Sequence, residues 1–236
     1  MGCASHVAWR GRQRAENTVG DPYERVANRD PQELSLDDLV LAARANEDEV
    51  KDRARADALI AEARTRASLR SSDPEALLTL GQVIYHGFEA GEVPDELRIT
   101  AQAALHRALT MRPDMGGARA YLVHFAHEAG EYVQCIALAR SVHRESYRDL
   151  GVDELLMHID EHVFDAMCAL GLGGGALADV FDQVVDSCRR TYKRDKWLVE
   201  PPNLFVDRAR TAIDAGLLPA YRRTAFLAAL DEIEDM

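Results

Sequence analysis

From Ser35 onward the apolar residues return every three or four positions and nowhere settle into strict alternation. That spacing lines one side of a helix and does not build a half-buried strand. Ser35 followed by Asp38 reads as a helix start, and residues 36–70, LDDLVLAARANEDEVKDRARADALIAEARTRASLR, run on without Gly or Pro. They predict one long helix or two short ones. The apolar residues thin out between Asn46 and Arg55, which puts the middle turns in water with Glu and Arg in pairs.

Asp73 then supplies an N-cap and Pro74 a first-turn residue whose missing N–H costs nothing. A helix through Tyr85 and His86 follows, then a loop marked by Gly87, Gly91 and EVPDE, and a second amphipathic helix that stops before Pro113. The same unit recurs over residues 116–146, with a tight turn at Ala129, Gly130 and Glu131, and twice more over 152–195 and 203–236. One helix pair cannot bury its own apolar face, so pairs that recur in this way are expected to stack as an α-solenoid. The expected organisation is a disordered basic arm over 1–33, a helical segment over 34–72 and a repeat domain over 73–236.

Two of these units resemble the tetratricopeptide repeat (TPR) family. The first carries the match at Leu77, Leu80, Gly81, Ile84, Ala101, Leu105, Ala108 and Pro113, the second at Leu122, Ala126, Gly130, Tyr132, Cys135, Ile136, Ala139 and Val142. The first departs by about eight extra residues between its helices. The second has Val123 in place of the first-helix glycine and Tyr147 in place of the closing proline. The resemblance implies an all-α fold, a right-handed superhelix of antiparallel helix pairs, whose concave groove is lined by the first helix of each pair. Transferred position by position, it assigns Glu75, Leu78, Gln82, Tyr85 and His86 to the groove, and then Gly117, Ala120, His124, His127 and Glu128. The wet face of the next helix adds His158, Glu161 and Asp165. For His124 and His127 the competing reading is that they simply pack between helices.

One stretch offers chemistry. HIDEH, His158 to His162, fits the inverted zinc-protease spacing, in which two imidazoles one turn apart hold the metal and a glutamate acts as general base. His158 and His162 would be the ligands, Glu161 the base, and Glu232 or Glu234 a further ligand. At about 100° per residue, however, Leu155, Ile159, Val163, Ala166, Met167 and Leu170 share one arc of a helix, while both histidines fall on the opposite, solvent side. A solvated face is the preferred reading. Likewise GLGGGA, Gly171 to Ala176, matches a dinucleotide-binding fingerprint but follows a helical pattern, so it reads as a turn between helices. The basic run RRTYKRDK, Arg189 to Lys196, sits where a helix dipole favours cations.

A net charge of -12 argues against nucleic acid, whose phosphates need clustered Lys and Arg, and matches a basic partner better. Cys3, Cys135, Cys168 and Cys188 form no C-x-x-C pair, which fits a reducing cytoplasm and no zinc ribbon. No run of eighteen apolar residues suggests a membrane span. Gly2 and Cys3 resemble an acylated start, but His6 stands where myristoylation wants Ser or Thr. The resulting expectation is a protein-protein scaffold without catalysis or cofactor, binding an extended or helical segment of another protein. A metal-dependent hydrolase centred on residues 158–162 is the alternative.

Overall fold

The computed structural model describes residues 23–47, 51–88, 92–142, 144, 153–194 and 203–235. Among the described residues every regular element is helical. The ten α-helices are α1 (Leu36–Ala45), α2 (Arg53–Leu69), α3 (Pro74–His86), α4 (Asp95–Met111), α5 (Gly116–Glu128), α6 (Tyr132–Arg140), α7 (Asp153–Ala169), α8 (Gly175–Arg194), α9 (Asn203–Asp214) and α10 (Arg223–Glu234).

The local signals act where the sequence puts them. Ser35 accepts from the Asp38 N–H to start α1, and Asp73 accepts from the Glu75 N–H to start α3. Residues 36–70 form two helices, not one. Asn46 is buried and its side chain accepts from the Asp52 N–H across the break, while Asp52 in turn caps α2 through the N–H groups of Ala54 and Arg55. Gly130, Gly171, Gly174 and Gly216 take positive φ in the turns between helices. GLGGGA is accordingly a helix-to-helix turn; residues 1–22, with Gly2 and Cys3, lie outside the described residues.

Part of the segment expected as an arm, residues 23–33, packs on α2. Val26 is wholly buried, Tyr23 nearly so, and the Val26 carbonyl accepts from Arg55 of α2. Arg66 of α2 reaches the carbonyls of Leu34, Pro31 and Gln32. Residues 23–33 therefore belong to the folded part, because two apolar side chains repay their ordering.

Within pairs, α3 packs on α4, α5 on α6, α7 on α8 and α9 on α10; between pairs, α2 meets α3, α4 meets α5 and α6 meets α7. A further succession joins the odd-numbered helices, α1 to α3, α3 to α5, α5 to α7 and α7 to α9. Two apolar cores result. The first gathers Leu39, Leu59, Leu77, Ile84, Leu105 and Phe125 from α1–α5, the second residues from α5–α10. At the heart of the second stand Phe164, Phe181, Phe205 and Phe226, one from each helix α7–α10, with ring centroids 4.7–6.2 Å apart. α5 feeds both cores with buried residues: Ala118, Tyr121, Leu122 and Phe125 face the first, Ala120, Val123 and Ala126 the second.

Candidate functional site

The odd-numbered helices carry a nearly continuous row of polar and aromatic side chains. At one end Glu47, just past α1, is 2.7 Å from His86 Nδ1, and His86 Nε2 is 2.8 Å from the Tyr121 hydroxyl on α5. Arg44 donates through Nε to His86 Nε2 at 3.2 Å and through Nη2 to the Tyr121 oxygen at 3.1 Å. With Glu47 accepting from Nδ1–H, the single lone pair of His86 Nε2 is shared between the Arg44 and Tyr121 donors.

Tyr85 connects this end to the middle of the row. Its ring meets those of His86, Tyr121, His124 and Phe125 at 5.1–5.4 Å. Burial, and after it the neighbouring Glu128, which accepts from the Tyr85 hydroxyl, hold the phenol well above its ordinary pKa. Gln82 lies one turn earlier on α3, half-buried.

In the middle, His124 Nδ1 of α5 and His162 Nε2 of α7 share one hydrogen bond at 2.6 Å. The His162 ring also stacks on His127, 4.2 Å between centroids and 21° from parallel. His127 Nε2 donates to Asp165 at 2.9 Å, and Asp165 is paired on its other oxygen with Arg208 of α9. Burial works against an ionised Asp165, but the hydrogen bond from His127 and the charge of Arg208 outweigh it and keep the carboxyl below its ordinary value.

These contacts correct the reading of HIDEH. His162 is not on a wet face; it is tucked against two imidazoles of α5, and burial, followed by the proximity of His124, His127 and His158, holds its pKa well below the usual imidazole value. Asp160, in the middle of the motif, is 2% exposed and takes a fork from Arg144 at 2.7 and 2.5 Å, yet burial still raises its carboxyl above the ordinary range. The two expected ligands turn to different partners: His158 Nδ1 donates to Glu161 at 3.0 Å while His162 goes to His124. Glu232 is committed to Arg189 and Glu234 to Arg210. Among the described residues no three His, Cys, Asp or Glu side chains stand together as a metal site.

The groove assignments divide in the same way. Tyr85, His86, His124, His127, Glu128 and Asp165 do come together, but as contacts between helices; His124 is only 8% exposed. Ala120 is buried, Gly117 lies against Leu78, and Glu75 turns to Arg112, just past α4. Gln82 and the His158–Glu161 pair remain partly open to solvent.

Arg44, Glu47, Tyr121 and Arg208 escaped the sequence reading. Helical spacing of Tyr121 with His124 and Glu128 carried a signal for one of them; the other three are joined to the row only by tertiary contact. Neither a protein-family model nor a curated protein matches this chain.

Proposed function

We propose that this chain is a TPR-like α-solenoid that binds a segment of another protein along the face formed by α1, α3, α5, α7 and α9. The observation that carries the reading is the succession of odd-numbered helices, each adjoining the next and each adding polar or aromatic groups to one row. Such a row presents donors, acceptors and ring faces in register with an extended or helical segment. Gln82, His158 and Glu161 are the partly exposed contacts; the imidazoles and phenols beneath them set their positions. A net charge of -12 favours a basic segment and a salt-sensitive association rate. The free thiols of Cys135, Cys168 and Cys188 suit a cytoplasmic setting. No helix among the described residues is long and apolar enough to cross a membrane. The hydrolase alternative would need His158 and His162 to converge, and their hydrogen bonds lead apart.

Capture of partners from the native host by the full chain, compared with the double variant Gln82→Ala/His158→Ala, tests the reading. The variant is expected to lose more than about 1 kcal/mol of binding, the margin that separates hot spots from passive contacts, with an unchanged melting temperature. Equal retention by both proteins would rule out this face.

A further inference from the structure

We infer that the contact between α5 and α7 is an acid-labile joint, in which the His124–His162 hydrogen bond and the His127–His162 stack hold the two helices together until both rings of that hydrogen bond are protonated. The geometry states the condition. A bond between two ring nitrogens at 2.6 Å needs one N–H and one lone pair. A first added proton can reside on the far nitrogen of the donor ring; a second leaves N–H facing N–H, and the bond is gone.

The charges that bear on His162 come from other imidazoles, and the described carboxylates around it serve other groups. On α7 itself, Asp165 already serves His127 and Arg208, Glu161 serves His158, and Asp160 serves Arg144. From α5 come His127 and Glu128, the latter engaged by Tyr85 of α3. From α6 come Tyr132, its ring 6.0 Å from that of His127, and Cys135, whose thiol is pushed up to about 12 by burial and then Asp165. From α8, Arg190 and Cys188 lie near Asp160 and Glu161, the thiol raised by burial. From α9 comes the fixed cation Arg208. Among the described residues, the carboxylates named here are engaged by other groups, and the charges that bear on His162 are those of His124, His127 and His158.

The sign follows from linkage. His162 has a lowered pKa in the folded chain, so the opened state takes up the proton first. The joint is at full strength above about pH 6.5, the ordinary histidine value, and weakens as pH falls below it. For each extra proton bound on opening, the opening constant rises about tenfold per pH unit. Because α5 belongs to both apolar cores, opening here loosens one of the contacts between the two halves, the other running through α6. This device rests on the contacts themselves and does not depend on whether the adjoining face binds a partner.

Two measurements on the full-length chain test it. In a proton NMR titration the His162 ring should titrate below about 6.5. Amide exchange across α5 and α7, referred to α2 in the same sample so that intrinsic pH effects cancel, should accelerate between pH 7.5 and 5. His162→Gln keeps a group that can bond to His124 but cannot gain a proton, and should abolish the excess acceleration; His106→Gln, on the exposed side of α4, should leave it intact. Titration of His162 at or above the ordinary value, or uniform exchange along the chain, would overturn the joint. If His162→Gln does not fold, these two wild-type readouts still decide.

Discussion

Gly81 sits where no side chain can go. A Cβ built there would lie 2.6 Å from Leu105 Cδ2 and 2.7 Å from its Cγ, and Leu105 is wholly buried with nowhere to retreat. The glycine is what lets α3 and α4 close. Gly81→Ala gains helix propensity of about 1 kcal/mol but forces overpacking that costs about 1–3 kcal/mol, so chemical denaturation should show net destabilisation. Gly175→Ala is the control. It meets nothing within 4 Å at the start of α8, and should stabilise by about 0.4–1 kcal/mol through the unfolded chain. A stabilising Gly81→Ala would mean that the two helices have room to part.

Asp165 shows how one residue sets a second acid limb. Its carboxyl is held below the ordinary value in the fold, so the stability it contributes is complete above about pH 3.9 and disappears as pH falls through the folded value. Removing the supporting cation in Arg208→Gln should move the acid-unfolding midpoint, followed by circular dichroism, to higher pH. An unmoved midpoint would mean that His127 alone holds the carboxylate. This limb lies well below the histidine range, so the two titrations are separable.

At the scale of the helix, the tie between Arg144 and Asp160 is the test of how α7 is anchored. Arg144 is 27% exposed and Asp160 3% at the side chain. Deleting the carboxylate in Asp160→Ala should therefore cost less than the roughly 3–5 kcal/mol of a fully buried broken pair. It should also speed amide exchange first in α7, and a loss confined to other helices would refute the anchor.

The helices themselves were legible because caps and breakers act locally: Ser35, Asp73, Pro74 and Gly130 each do what their side chains or their freedom of φ allow. The break at Asn46 was half legible, as a thinning of apolar residues, while the buried amide that holds it was not. Within the polar row, His162 was read at the wrong depth. Periodicity placed His162 opposite Ile159 and so in water, but a second helix covers that side of α7, and no single-helix pattern records what a neighbour covers. Arg208 lies some forty residues from its partner Asp165, joined to it only by the packing of α9 on α7.

For the molecule as a whole, α5 is the member on which both cores depend. Phe125 is fully buried in the first core, and Phe125→Ala is expected to cost about 3–5 kcal/mol. If the halves are coupled through α5, the loss should appear in the exchange rates of α8 and α10 as well as α3. Protection lost only up to α4 would show two independently stable units instead.

The same helix governs the order in which the chain can be made. As it is synthesised from the amino end, α1–α4 can close over Tyr121, Leu122 and Phe125 as soon as α5 has emerged. Ala120, Val123 and Ala126 on its other side then have only α6 to cover them until α7 and α8 arrive, several tens of residues later. At about 5–20 residues per second, that leaves a nascent chain with one finished half and one adhesive flank for several seconds, the interval in which a chaperone would have most to do.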